Sequence, residues 1–358
     1  LDYTPCCVME PFSGTGTTEL VCANKGISSF ALEINPFLVW LGNAKLGIYH
    51  RDKVEEFLSI ANTLMQHIEE YVPTDFPPIY NIYRWWNPPQ AEFLAKLKSA
   101  IKTVEDDAVV QLLTVSFCRI VIELSNAAFN HVSTSFKDGN EGFFSIDIAK
   151  EAFISVCEMV AKGALLQPRA TSKVLLHDSR SIPAECYGAY DTVITSPPYP
   201  NRISYIRELR PYMYWLDYLE TSDQASDLDW QAIGGTWGRA TSLLGTWKSD
   251  HSLPQYVYDI AEKISNADNK SAGLMANYVL KYFEDMQKHL SSVYAGLAAK
   301  GRVFYIIGNS IFYNITVPAE KIYVDMMTTI GFVDVEYHIV RKRNCNKQLY
   351  EFVVSGQK

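Results

Sequence analysis

Short apolar segments alternate with helical segments along most of the chain, and this alternation constrains the fold more than any other feature. Segments rich in β-branched and aromatic residues predict strands at the start of 6–26 and at 28–36, 173–182, 190–199, 301–310, 332–343 and 347–356. Helical periodicity falls between most of them, at 17–25, 204–219, 272–298 and 318–330. We therefore predict an α/β fold with a doubly wound, mostly parallel seven-stranded sheet covered on both faces and an antiparallel hairpin at one edge.

Composition narrows the class of protein. The chain has 358 residues, of which 48% are hydrophobic and 20% charged, an ordinary globular mixture. No apolar run approaches the roughly 18 residues of a membrane span, so we expect no membrane partner. The seven cysteines include no C-x-x-C pair, which favours reduced thiols in a cytoplasmic protein and no bound metal. The net charge of −8 argues against a strongly basic nucleic-acid binder, although a local basic groove needs few residues.

Two segments interrupt the alternation and divide the predicted sheet domain into 1–45, 166–220 and 272–358. Residues 46–165 carry apolar side chains at helical spacing and predict an insertion of about four helices. Residues 221–271 are rich in Gly, Ser, Asp and Trp and predict a loop-rich segment after the fourth strand.

A glycine turn follows the first predicted strand, in the stretch MEPFSGTGTTEL at 9–20. Gly14 and Gly16 allow the backbone to turn tightly, and the helix that follows would present free N–H groups to a ligand. The stretch is neither a Walker loop nor a full dinucleotide fingerprint. Glu33 ends the second predicted strand, where a carboxylate could hold the two hydroxyls of a ribose. The alternative is a plain glycine turn of an α/β fold.

A stiff proline turn, TSPPY at 195–199, leaves the fourth predicted strand. Each proline fixes its own φ and donates no N–H, so we expect carbonyl oxygens to point outward there. Ser196 adds a further acceptor and Tyr199 a flat ring. Two acceptors beside a stacking face suit an aromatic ring that bears an exocyclic amino group. The alternative is a structural proline turn with Tyr199 packed in the core.

Together the two motifs resemble those of the amino-methylating DNA methyltransferases, which use S-adenosyl-L-methionine. The family's F-x-G-x-G cofactor motif matches at Phe12, Gly14 and Gly16, and its [DNS]-P-P-[YFW] catalytic motif matches at Ser196–Tyr199. The resemblance implies a Rossmann-like methyltransferase fold. A serine in the first catalytic position is most typical of cytosine-N4 enzymes, and adenine-N6 methylation is the alternative. The glycine motif precedes the catalytic one here, unlike in many enzymes with this serine.

The resemblance also implies roles for individual residues. It assigns catalysis to Ser196, Pro197, Pro198 and Tyr199. It assigns the cofactor to Glu10, Pro11, Phe12, Gly14, Gly16, Thr17, Thr18, Glu33, Ile34, Asp178, Ser179 and Thr195, with Asp178 near the adenine. Hydrogen bonds from the target amine to the Ser196 hydroxyl and the Pro197 carbonyl would make its nitrogen more tetrahedral and more nucleophilic. Tyr199 would stack on the base after the base leaves the duplex.

The expected partner is double-stranded DNA with a flipped target base. Asn201, Arg202 and Arg207 follow the catalytic motif and could contact phosphates, or could form a solvated helix face. We expect 221–271 to read the DNA sequence, a cytoplasmic location in a bacterial or archaeal cell, and a cognate restriction endonuclease or defence-system subunits as further partners. The alternatives of another class are a non-catalytic nucleic-acid-binding module and an RNA or protein-glutamine methyltransferase.

Overall fold

The computed structural model describes residues 3–128, 135–136, 144–343 and 348–358. The strands in this part of the chain are β1 (Cys7–Glu10), β2 (Ser28–Glu33), β3 (Ala127–Ala128), β4 (Ser135–Phe136), β5 (Ser172–Leu176), β6 (Thr192–Thr195), β7 (Arg302–Gly308), β8 (Ser310–Phe312), β9 (Ile315–Val317), β10 (Val333–Lys342) and β11 (Tyr350–Gln357). The helices are α1 (Thr17–Lys25), α2 (Pro36–Leu46), α3 (Arg51–Gln66), α4 (Ile82–Trp85), α5 (Pro88–Ile101), α6 (Asp107–Glu123), α7 (Ile146–Ala164), α8 (Tyr205–Trp215), α9 (Ser222–Gln231), α10 (Arg239–Thr246), α11 (Gln255–Ser265), α12 (Ala272–Gly296) and α13 (Ala319–Ile330). Single 3₁₀ turns occupy Ile68–Glu70 and Ala184–Cys186.

The chain divides into two compact units. The sheet unit comprises Leu1–Gly42, Arg169–Arg207 and Ser226–Lys358, and the helical unit comprises Asn43–Pro168 and Glu208–Ala225. The helical unit therefore takes in the region that we expected to be an insertion, together with a short segment after the proline turn.

A seven-stranded sheet forms the centre of the sheet unit, in the order β10-β11-β7-β6-β1-β2-β5. The five strands from β7 to β5 are parallel, and β11 is antiparallel to both of its neighbours. The predicted fold class is confirmed, including the antiparallel hairpin at the edge. Strand order reverses between β1 and β6, and ligands of doubly wound sheets bind beyond the carboxyl ends of strands at such a point.

The core of the sheet unit forms because both faces of the sheet are covered. Central strands are then buried almost continuously rather than on alternate residues, as Val8, Met9 and Leu32 show. Strand β10 lies at the edge of the sheet, where it pairs with β11, and it is exposed along most of its length.

The helical unit has a core of its own. Aromatic side chains fill the space between helices α3, α5, α6 and α7, and the fully buried ones include Phe57, Phe93, Phe117 and Phe153. Asn87 and Gln90 form a capping box at the start of α5, and the Asp106 carboxylate accepts a hydrogen bond from the Val109 N–H at the start of α6.

The segment 221–271 contains more helix than its Gly, Ser and Asp content suggests. Helices α9, α10 and α11 lie within it, joined by loops. In α11 the apolar residues Val257, Ala261 and Ile264 recur at helical spacing and are buried, so packing overrides the composition of the segment. Among the helices of the described residues, none is both long enough and apolar enough to cross a membrane.

Candidate active site

The glycine turn lies at the switch point of the sheet, directly after β1. Gly14 and Gly16 both have left-handed backbones, with φ of +55° and +74°, a conformation that glycine adopts without strain. A methyl group on Gly16 would lie 3.1 Å from the Gly42 Cα of α2, so packing also requires glycine there. The space beside Gly14 is open, because a methyl group there would meet nothing within 4 Å. The turn therefore leaves room for a ligand at Gly14.

Glu33 ends β2 and faces this turn. One of its carboxylate oxygens accepts the Gly14 N–H at 2.9 Å and the other accepts the Asn35 N–H at 2.8 Å. Burial raises the pKa of Glu33. The Ile34 N–H also interacts with this carboxylate. Because a carboxylate has about four acceptor positions, Glu33 is still able to accept a hydrogen bond from a hydroxyl group. Ile34 follows it directly in the chain.

Glu10, the last residue of β1, connects the glycine turn to β6. One carboxyl oxygen accepts the Phe12 N–H at 3.1 Å and a hydrogen bond from the Thr195 hydroxyl, and the other accepts the Thr18 hydroxyl at 2.9 Å. Burial raises the pKa of Glu10 to about 8. Both oxygens are bonded to the protein, so Glu10 links the turn to the strand that carries the proline motif. Pro11 lies in the turn, and Thr17 begins α1.

The proline turn, Ser196–Tyr199, follows β6, the strand next to β1. Ser196 is exposed, Pro197 is buried, and Pro198 and Tyr199 are half-buried. The expectation of outward carbonyls is wrong for Pro198, because the Pro198 carbonyl accepts the Tyr282 hydroxyl at 2.7 Å. The Tyr282 side chain reaches the turn from the interior, which sequence position alone did not indicate.

Tyr199 is held from several sides. The Arg343 guanidinium lies 5.3 Å from the centre of its ring, and its hydroxyl interacts with the Ser196 hydroxyl and the Glu351 carboxylate. A methyl group on Gly308 would come within 2.9 Å of the ring, so glycine is required beside it. Tyr199 therefore lies beyond the carboxyl ends of strands β6 and β7 and not deep in the core.

Asp178 follows β5 and is engaged by Arg180. Its two oxygens accept the Arg180 backbone N–H at 2.9 Å and side-chain N–H groups at 2.6–3.1 Å. Burial works in the opposite direction, but these hydrogen bonds hold the pKa of Asp178 below its ordinary value. Arg180 also donates to Asp285 at 2.9 Å and to the Gln231 carbonyl at 2.6 Å. An adenine amine at Asp178 would thus compete with Arg180, because a carboxylate has about four acceptor positions.

His289 joins the glycine turn to the loop after β5. Its Nδ1 donates to the Ser179 carbonyl at 3.1 Å, so its Nε2 accepts the Tyr305 hydroxyl at 2.9 Å. Its ring lies 4.8 Å from the ring of Phe12. Burial lowers the pKa of His289 to about 4, which keeps the imidazole neutral near pH 7.

Sequence reasoning missed the contribution of α12. Four residues of this helix reach the site: Tyr278, Tyr282, Asp285 and His289. They recur at helical spacing, so they share one face of the helix. Polar side chains at helical spacing, interleaved with the apolar residues of the buried face, are the signal that could have identified them.

The residues expected to contact DNA lie in the loop after the proline turn and in α8. The Asn201 side chain accepts the Ile203 N–H at 3.3 Å, the Arg202 side chain is exposed, and Arg207 is half-buried. The Arg207 N–H donates to the Ser204 hydroxyl at 3.1 Å, and that hydroxyl donates to Asp229. Within the described residues, no group of three or more His, Cys, Asp and Glu side chains is arranged to hold a metal ion.

The chain is similar to the type II methyltransferase M.MvaI of Kocuria varians. The two are 21% identical over 345 residues, which cover 87% of this chain and 72% of that protein. No protein-family model matches the chain. No solved structure matches it either. Because the similarity covers most of the chain, it extends over parts of both the sheet unit and the helical unit.

Proposed function

We propose that this chain is a DNA methyltransferase that transfers a methyl group from S-adenosyl-L-methionine to the exocyclic N4 amine of cytosine. The observation that carries the proposal is the placement of two turns. The glycine turn and the proline turn end neighbouring parallel strands at the switch point of the sheet, and Glu10 connects them. The similarity to a type II methyltransferase supports this class of activity and a role in restriction-modification.

The glycine turn fits the proposed cofactor. The open space beside Gly14 would accommodate a ligand, and Glu33 would hold the two ribose hydroxyls in competition with the backbone N–H groups of Gly14, Ile34 and Asn35. Asp178 would take the adenine amine in competition with Arg180, and Phe12 and Ser179 would line the site beside His289. When bound, S-adenosyl-L-methionine supplies a methyl group made electrophilic by its positive sulfur.

The proline turn would hold the target amine. We assign the amine to the Ser196 hydroxyl and the Pro197 carbonyl, because the hydrogen bond from the buried Tyr282 turns the Pro198 carbonyl towards the interior. Accepting both N–H groups orients the nitrogen lone pair, so positioning and electrostatics would supply most of the catalysis. The half-exposed ring of Tyr199 would stack on the flipped base, which a duplex would otherwise keep out of reach.

The segment 221–271 is proposed to read the DNA sequence. It reaches the proline turn at Gly234, where a methyl group would lie 3.9 Å from the Pro198 side chain. It also reaches the proposed adenine site, because the Gln231 carbonyl accepts Arg180. Asn201, Arg202 and Arg207 would contact phosphates of the double-stranded DNA. The expected setting is a bacterial or archaeal cytoplasm, with a cognate endonuclease or defence-system subunits as partners.

Nucleoside mass spectrometry tests this proposal. Unmethylated genomic DNA is incubated with the protein and S-adenosyl-L-methionine, digested, and analysed for methylated bases. We expect N4-methylcytosine in the DNA. N6-methyladenine would establish the alternative target, since the same turn can hold either amine. The absence of any methylated base from the DNA would refute the assignment to DNA.

A further inference from the structure

Two buried tyrosines of α12 attach the proline turn and the loop after it to the interior of the sheet unit. Tyr278 and Tyr282 are one helical turn apart and only 2% and 1% exposed. The Tyr282 hydroxyl donates to the Pro198 carbonyl at 2.7 Å, and the Tyr278 hydroxyl accepts the Arg202 N–H at 3.1 Å. The two hydrogen bonds therefore lie on either side of Tyr199 in the chain.

The hydrogen bond from Tyr282 has a fixed direction. A carbonyl only accepts and a phenol has a single proton, so Tyr282 must donate to Pro198. The Tyr323 hydroxyl lies 3.1 Å from the Tyr282 hydroxyl and must then donate to it. Burial raises the pKa of Tyr282 well above its ordinary value, so the phenol keeps its proton. The chain of hydrogen bonds runs from Tyr323 through Tyr282 to the turn.

This hydrogen bond controls the direction in which Tyr199 leaves the turn. The ring of Pro198 fixes its φ, so ψ is the one soft backbone angle between the ring of Pro198 and Tyr199. The position of the Pro198 carbonyl oxygen reports that ψ, and Tyr282 holds this oxygen. Without the Tyr282 hydroxyl, the Pro198 carbonyl could rotate and Tyr199 would lose its fixed direction.

The second attachment supports a strained backbone. Arg202 has a φ of +63°, a left-handed conformation that is unfavourable for a long side chain and persists only where the surroundings hold it. The Tyr278 hydroxyl accepts its N–H. Gly234 packs beside both tyrosines and Pro198, so the proposed reading segment contacts the same assembly.

We propose that Tyr282 and Tyr278 are positioning residues that hold the proline turn in the geometry needed for methyl transfer. Tyr282 keeps the Pro198 carbonyl turned to the interior, which leaves the Ser196 hydroxyl and the Pro197 carbonyl as the amine acceptors. Tyr278 fixes the far end of the loop at Arg202. This inference rests on the proposed function, and neither tyrosine touches the reacting atoms.

Tyr282→Phe and Tyr278→Phe test the proposal, with Tyr190→Phe as a matched control. Tyr190 is also buried, 1% exposed, and its hydroxyl donates to the Val293 carbonyl of the same helix at 3.2 Å, but it precedes β6 instead of following it. The measurements are kcat and KM for methyl transfer to unmethylated genomic DNA, calorimetric affinity for S-adenosylhomocysteine, and urea unfolding. Tyr323→Phe, which removes only the outer hydrogen bond, is a milder second variant.

We expect Tyr282→Phe to lower kcat about 10- to 100-fold, because small misplacements of reacting groups have effects of this size. KM and cofactor affinity should change by less than about threefold, and Tyr278→Phe and Tyr323→Phe should show smaller losses of kcat. Tyr190→Phe should lose about as much free energy of unfolding as Tyr282→Phe but keep the kcat of the unmodified protein. A Tyr282→Phe protein as active as Tyr190→Phe, or one that changes only KM, would overturn the positioning role. An inactive unmodified chain would instead overturn the proposed function.

Discussion

Replacing Glu10 by glutamine tests whether the residue that connects the two turns is a buried carboxylic acid. Glu10 is buried, and its carboxyl group accepts hydrogen bonds from Phe12, Thr18 and Thr195. Glutamine has the same shape but no ionisable group, so the substitution keeps the packing and removes the titration. The stability of the two proteins should therefore depend differently on pH.

The sign and size of this difference follow from the pKa. Burial raises the pKa of Glu10 from its ordinary value of 4.5 to about 8, so between these values the folded protein binds more protons than the unfolded chain. Proton binding by Glu10 therefore stabilises the folded protein. This stabilisation is fully present below pH 4.5 and is lost as the pH rises through about 8. Integrating proton binding from pH 5.5 to 8.5 gives a loss of about 3 kcal/mol for the wild type relative to Glu10→Gln.

Urea unfolding at pH 5.5, 7.0 and 8.5 measures this difference. The difference in the free energy of unfolding between the two proteins is compared across these pH values. A lost hydrogen bond shifts this difference by a constant of about 1 kcal/mol, and the titration of all other groups is common to both proteins, so neither changes its pH dependence. Glu262→Gln serves as the control, because it makes the same substitution at an exposed position of α11. If the curves for wild type and Glu10→Gln run parallel across the range, Glu10 is not a buried carboxylic acid and the argument fails.

Three further changes address the proposed binding roles. Glu33→Ala should weaken S-adenosylhomocysteine binding by about 1.5–3 kcal/mol in calorimetry, the range for a hydrogen bond to a charged group, and unchanged affinity would remove Glu33 from the site. Tyr199→Ala should greatly reduce methyl transfer while Tyr199→Phe keeps most of it, because stacking needs the ring; equal losses would argue against stacking. Exchanging 221–271 with the segment of a relative of different specificity should move the methylated sequence, whereas specificity that follows 46–165 would contradict its reading role.

The sheet could be predicted from the sequence because its signals are local. Strand periodicity, the glycine turn and the proline turn each lie within a few consecutive residues, and the hairpin of β10 and β11 joins neighbouring segments. The placement of Gly14 and Ser196 at the same edge of the sheet follows from the alternation of strands and helices, since parallel strands end at one edge. That β1 and β6 are neighbours in the sheet is visible only in the structure.

The remaining features depend on contacts between distant parts of the chain. Tyr282 and Pro198 are 84 positions apart, and Arg180 and Asp285 are 105 apart, so no local pattern relates them. The helices of 221–271 could not be predicted from the sequence for another reason. Their apolar residues are spaced for packing, but the composition of the whole segment resembles that of a loop.

The central claim is that the proline turn binds an exocyclic amine of DNA, and Ser196→Ala tests it most directly. The measurement is tritiated methyl transfer to unmethylated genomic DNA, with calorimetric binding of S-adenosylhomocysteine to the same variant. We predict a loss of about 10²–10³ in rate, the usual effect of removing one positioned polar group at a reacting centre, with cofactor affinity nearly unchanged. Full methyl transfer by Ser196→Ala would contradict the account and leave Ser196–Tyr199 as a structural turn.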